Sequence, residues 1–238
     1  MRSVENIDTT LSAHMNERDA SRAWSRWTER HAGDMQAFAV AGLLGPENVE
    51  WHNVVEHSLV VNATAVLIAQ QLLESGVAID MTTVDRASLL HDVTKRKERE
   101  SDISYDNEHE SSLKSDFLAR LGYDDAVIDG TLYTGRVDDM FIEDVVEQQN
   151  VVDARPLEQL IVGYADARTR NTDVVPLAVA RDLNKQKVPR DAAVYDVWYD
   201  FYSLVEERLF SLMSSSDMTP DSITNDAVAV MVSKYSEK

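Results

Sequence analysis

From Asn53 to Leu73 the apolar residues Val54, Leu59, Val60, Ala63, Val66, Leu67, Ala69 and Leu73 recur close to the 3.6-residue period of a helix, and Gly76 stops the run. A run this long without a breaker commits that stretch to a helix, and the rest of the chain behaves alike. Eight Gly and five Pro in 238 residues leave few interruptions. Residues 17–31 read as a polar helix with a Trp-bearing face, broken by Gly42-Leu43-Leu44-Gly45-Pro46. Thr83 is a suitable N-cap for a helix over 84–93. A helix over 111–121 ends at Gly122, and Asp124 or Asp125 caps its successor. Pro156 heads a helix over 157–167. Residues 191–213 form a long amphipathic helix with Tyr195, Trp198, Phe201, Tyr202, Val205, Leu209 and Phe210 near one face, suited to core packing or a dimer seam. Ser214-Ser215-Ser216 and Pro220 precede a short tail helix. No alternating strand pattern and no internal repeat is found, so the expected class is all-α.

Composition narrows the chemistry. Without cysteine there is no disulfide framework, thiolate metal site or cysteine nucleophile. Any bound metal must be held by imidazole and carboxylate, which suits Mn, Fe, Co, Ni, Zn or Mg. The net charge of −19, from 23 basic and 42 acidic residues, repels nucleic-acid backbones and disfavours a polynucleotide partner. No apolar run is long enough for a bilayer and the first thirty residues lack an apolar signal core, so a cytoplasmic protein is expected.

One ordered set of residues carries chemistry. His91-Asp92 closes the apolar run Ala87-Ser88-Leu89-Leu90, with Glu56-His57-Ser58 upstream and Tyr164-Ala165-Asp166 downstream. These read His … His-Asp … Asp, a four-ligand set for one divalent metal. Such a cation lowers the pKa of water toward neutrality and polarises a phosphoryl oxygen, with Asp92 as ligand and orienter of the water. Behind the pair, Lys95-Arg96-Lys97-Glu98-Arg99 is a cationic island in an acidic chain. Lys95, one turn beyond His91, would face the same side and neutralise a phosphate oxygen. His109, if it reaches the site, is a candidate general acid or substrate contact. Arg136, Arg168 and Arg170 are further candidate phosphate contacts. His52, about 140° round the helix from His57, should not share the site, and His14 and His31 have no supporting context.

In order, spacing and flanking residues, the stretch from His57 to Asp166 resembles the HD-domain superfamily of metal-dependent phosphohydrolases. Glu56-His57-Ser58-Leu59-Val60-Val61 resembles the family's first histidine in its H-S-x-x-V setting. Leu89-Leu90-His91-Asp92-Val93-Thr94-Lys95 resembles the L-L-H-D-[IV]-x-K signature. His109-Glu110 with Phe117 to Gly122 resembles the later H-E segment and the helix after it, and Ile161 to Asp166 the closing A-D motif. The resemblance implies that His57, His91, Asp92 and Asp166 ligate the metal. It implies a helical HD bundle over 46–213, with residues 1–45 as a helical extension and 214–238 as a tail helix.

Two departures limit the transfer. Two-metal relatives, among them di-iron oxygenases, close a helix with a further histidine about where Tyr133-Thr134-Gly135-Arg136 stands, and none is present. One metal is therefore expected, and oxygenase chemistry is disfavoured. Val54-Val55-Glu56-His57-Ser58 echoes the nucleoside-5′-monophosphatase branch, but that branch has Glu where this chain has Lys95. Competing motifs fail. Gly130-Thr131-Leu132-Tyr133-Thr134-Gly135-Arg136-Val137 has P-loop glycine spacing but lacks the Lys-Ser/Thr pair and a preceding strand. H-E-x-x-H and G-x-S-x-G are absent. The expected activity is metal-assisted hydrolysis of a phosphoester in a small phosphorylated metabolite, a nucleotide foremost. The rival expectation is a regulatory or binding HD protein without turnover.

Overall fold

The computed structural model describes residues 17–101, 107–132, 134, 144–187, 192–213 and 217–235. Helices follow one another: α1 (Glu17–Arg30), α2 (Ala32–Val40), α3 (His52–Glu74), α4 (Met81–Leu90), α5 (Lys95–Glu100) and α6 (Asn107–Arg120). They continue with α7 (Asp125–Leu132), α8 (Val145–Ala154), α9 (Leu157–Arg168), α10 (Leu177–Lys187), α11 (Ala192–Leu212) and α12 (Asn225–Tyr235). The all-α class is what the structure shows. No described helix is long and apolar enough to cross a membrane.

The periodic run becomes α3, and it is more deeply placed than an amphipathic surface helix. Every residue from Ser58 to Ala69 is buried, as expected of a helix enclosed on all sides. α4, α9 and α12 pack around it, and α4 also contacts α9 and α7. The buried Asn62 on α3 needs partners, because an unpaired buried amide is costly. It accepts from Trp27 Nε1 at 2.9 Å and donates to Asp85 O at 2.7 Å.

Several local expectations are corrected. Asp80, not Thr83, caps α4: its carboxylate accepts from the backbone N–H of Thr82 and Thr83 at 2.9 and 3.3 Å. α4 stops at Leu90 instead of Val93, and residues 91–94 form a turn before α5. Lys95 therefore opens a new helix and does not continue that of His91. α2, α8 and α10 were not anticipated as separate helices, and α6 starts earlier than expected, at Asn107. Two short strands also appear: β1 (Thr169–Arg170) pairs antiparallel with β2 (Asp173–Val174) across an Asn171-Thr172 loop.

The segments set apart as extension and tail share one apolar core with the middle. Trp24, Trp27 and Phe38 from α1 and α2 join the same cluster as Val228, Met231 and Val232 from α12. The α11 stripe is spent within that core: Trp198, Phe201, Tyr202, Val205 and Leu209 are all buried. The first glycine of the rejected P-loop spacing has a packing role. A Cβ added to Gly130 on α7 would stand 2.7 Å from Ala87 Cβ on α4, so only glycine lets the helices come this close.

Candidate metal centre and cleft

Three elements converge on one point. α3 contributes His57 near its start, the turn after α4 contributes His91 and Asp92, and the last turn of α9 contributes Asp166. The ligating atoms of His57, His91 and Asp92 lie within 4.8 Å of one another. Asp166 Oδ1 is 3.1 Å from His57 Nε2 and 3.5 Å from His91 Nε2, and Asp92 Oδ2 is 3.8 Å from His91 Nε2. Ligands about 2.1 Å from a shared ion stand about 3.0 Å apart in an octahedral shell and about 3.4 Å in a tetrahedral one. The spacings of Asp166 from the two histidines match these values, whereas Asp92 stands somewhat farther out.

The tautomers follow from the partners. His57 Nδ1 lies 2.9 Å from Asn171 O and His91 Nδ1 lies 2.7 Å from Ser88 O. A carbonyl can only accept, so both rings carry a proton on Nδ1. A metal-ligating ring protonated on Nδ1 keeps its Nε2 lone pair for the ion, and here both Nε2 atoms face Asp166 Oδ1, an acceptor. His91 Nε2 is buried without a hydrogen-bond partner. A cation between these atoms would resolve the conflict, and Nδ1–H bonded to a backbone carbonyl is how metal-ligating histidines are held. The donor set therefore fits a borderline divalent ion of the Mn-to-Zn series, or Mg.

The electrostatics agree. Burial opposes ionisation of Asp92, but Lys95, His91 and His57 overcome it and hold the carboxyl at about 2. Burial likewise opposes ionisation of Asp166, but the two imidazoles that face it outweigh this and hold its carboxyl well below the usual range. For His91 burial works to depress the imidazolium, but Asp92 and Asp166 outweigh it and the pKa rises. Both carboxylates are thus anionic at neutral pH and available as ligands.

Above this floor opens a cleft of about 400 Å³, whose lining includes His57, Asp92, Asp166 and the cations Lys95, Arg99, Arg170 and Lys187. Lys95 Nζ is 3.1 Å from Glu98 Oε2 and 3.8 Å from Asp92 Oδ1. Glu98 is buried and accepts from Thr94 Oγ1 at 2.7 Å. Asp92 and Glu98 push the Lys95 ammonium up, so it stays cationic despite burial. Arg170 donates through Nη1 to Thr169 O at 2.8 Å and through Nη2 to Ala167 O at 2.9 Å and to the Tyr199 hydroxyl. Its buried Nε has no partner among the described residues.

The other expected residues fall elsewhere. Arg168 is 1% exposed and outside the cleft lining; its guanidinium donates to Val175 O, Pro220 O, Ile223 O and the Tyr164 hydroxyl. With four of its five N–H donors engaged inside the fold, it is a structural residue and not a phosphate contact. His109 is exposed on the first turn of α6 and is not among the cleft-lining residues. Its neighbour Glu110 is half-buried; burial pushes its carboxyl up, and Lys95 partly offsets this. Arg136 lies outside the described residues. His52, as expected, turns away, with Nε2 3.2 Å from Gly45 O. The cationic island divides: Lys95 and Arg99 face the cleft, whereas Arg96 donates to Gly42 O and Asn48 Oδ1 and Lys97 sits over the Phe117 ring.

Sequence reasoning missed Lys187, Glu98 and Asn171. Asn171 has φ of 56°, left-handed for a residue with a side chain, and asparagine is among the few that accept this. The run Arg170-Asn171-Thr172-Asp173 held a turn signal, but nothing in it indicated that the Asn171 carbonyl would reach His57. Comparison with protein-family models, with curated proteins and with solved structures finds no match to this chain.

Proposed function

We propose that this chain is a metal-dependent phosphohydrolase of the HD-domain type, acting on a small phosphorylated metabolite, a nucleotide foremost. One observation carries the reading: His57, His91 and Asp92 group tightly, with Asp166 against both imidazoles, at the floor of a cleft lined by four cations, in a chain of net charge −19. A cationic pocket in an acidic chain favours a small anion while the outer surface repels polyanions. The ligand set supports one ion, held by His57, His91, Asp92 and Asp166. Such an ion supplies Lewis acidity toward a phosphoryl oxygen and lowers the pKa of nearby water.

The chain's own residues do the rest. Asp92, anionic and beside Lys95, is both ligand and hydrogen-bond acceptor for an attacking water. Lys95, steadied by Glu98, retains N–H donors for a phosphate oxygen as charge builds in the transition state. Arg170, which also lines the cleft, adds positive charge there. Arg99 and Lys187 at the rim draw the anion in.

The test is phosphate release from a panel of nucleotides and sugar phosphates with Mn, Co, Zn or Mg supplied. Wild type should turn over at least one substrate, and His91→Ala should not. A protein that keeps its metal but releases no phosphate from any substrate would favour the binding role instead.

A further inference from the structure

We propose that the C-terminal helix completes the metal centre: Asn225, acting through the β1–β2 hairpin, is a positioning residue for the ligand His57. The proposal rests on the metal reading above.

The hairpin has two paired residues on each strand. Two-stranded ribbons are marginal even when much longer, so this one needs outside support to hold its tip still. That support is visible on its outer edge. Asn225, the first residue of α12, accepts from Val174 N through Oδ1 at 2.7 Å and donates from Nδ2 to Asp173 Oδ1 at 3.2 Å. Arg168, just before β1, reaches Pro220 O at 2.6 Å and Ile223 O at 3.1 Å on the segment leading into α12. α12 is itself seated against α3 and α1. The hairpin is thus clamped between the end of α9 and the start of α12.

The clamped unit delivers two things to the cleft. Asn171, at its tip with φ of 56°, presents its carbonyl to His57 Nδ1. That bond fixes which nitrogen of His57 faces the ion and where the ring points. Arg170, on β1, lines the cleft wall. Asn225 is not among the cleft-lining residues, yet the ladder it steadies, β1 with β2, carries the orienting carbonyl. Loss of such orienting contacts lowers metal affinity about 10–100-fold.

Binding of Co²⁺ to the full chain, read by its visible absorption and by chelator competition, tests this without any turnover. Asn225→Ala should bind Co²⁺ about 10–100-fold more weakly, with an altered absorption band and unchanged helical circular dichroism. Asn171→Val, whose branched side chain resists positive φ, should reproduce the loss from the other end of the clamp. It also keeps the test alive if Asn225→Ala fails to fold. Asn171→Gly, which allows that backbone, should bind as wild type. The double variant N225A/N171V should lose no more than the larger single effect, as expected for residues acting through one path. Wild-type affinity and spectrum in Asn225→Ala, or in Asn171→Val where Asn225→Ala does not fold, would overturn the clamp alone. Failure of wild type to bind Co²⁺ would overturn the metal reading and the clamp with it.

Discussion

Two histidine–aspartate clusters are linked through Ser88 on α4, and only one of them has the makings of a metal site. Toward α1, His31 Nε2 lies 2.9 Å from Asp85 Oδ1 and His31 Nδ1 lies 2.8 Å from Trp27 O. Toward the cleft, His57 Nε2 lies 3.1 Å from Asp166 Oδ1 and its Nδ1 lies 2.9 Å from Asn171 O. Pair by pair the two are nearly alike. The difference is in what surrounds them. Asp85 also receives Asn62 Nδ2 at 2.9 Å and Arg30 Nη2 at 3.3 Å, so its charge is met by donors other than the imidazole. In the cleft a second imidazole and a second carboxylate crowd the same point, and His91 Nε2 is left without a partner. A histidine beside an aspartate is therefore no sign of a metal; a surplus of inward lone pairs is. Ser88 joins the two clusters, accepting from Asn62 through Oγ and from His91 through its carbonyl.

The largest expected effect separates the clusters by function. His91→Ala or Asp92→Ala should abolish metal retention, read by elemental analysis, and turnover, while circular dichroism stays helical. Loss of a ligand should exceed the about 10–100-fold cost of losing an orienting contact. Metal loss in His31→Ala would erase the distinction.

Next comes stability. Asp85→Asn leaves the buried His31 without its carboxylate and should cost about 3 kcal/mol in urea denaturation, with metal content unchanged. Gly130→Ala should cost about 1–3 kcal/mol through the clash with Ala87. If it also weakened metal binding, the α4–α7 contact would be shown to steady His91.

A smaller effect concerns pH. Burial favours the neutral Asp85 carboxyl, but His31, Asn62 and Arg30 outweigh it and its pKa is lowered. A depressed carboxyl contributes stability that is present above its unfolded value of about 3.9 and lost as pH falls through the folded value. Thermal denaturation below about pH 4 should therefore show a steeper acid loss in wild type than in Asp85→Asn. The smallest expected change is at the rim: Arg99→Ala or Lys187→Ala should raise KM for a phosphorylated substrate a few-fold, with a weaker salt dependence and kcat retained. An equal fall in kcat would move these residues from attracting the anion to stabilising the transition state.

Much of the helical framework was legible because α3, α9 and α11 carry long apolar patterns bounded by Gly76, Pro156 and Ser214. α8 was not, since VVEQQNVVDA mixes apolar and polar residues with little segregation, and neither was α10, whose LAVARDLNKQK is amphipathic but polar on the whole. Asp80 and Thr83 are both good caps three positions apart, and only the backbone geometry chooses between them. The four candidate ligands, which the structure brings near one another, could be picked out because imidazole and carboxylate advertise their chemistry. The groups that aim them could not: Ser88 and Asn171 act through backbone carbonyls, which every residue possesses. Arg168 was misplaced because proximity to Asp166 in sequence says nothing of which side of the helix end it leaves by.

The hairpin clamp also bears on how the protein is made. All four candidate ligand residues are synthesised before Asn225 is joined to the chain. Until then the hairpin lacks the Asn225 contacts that, on the proposed clamp, steady the Asn171 carbonyl against His57. Under that reading, selection among cellular metals would be a property acquired after translation of this helix and not before it.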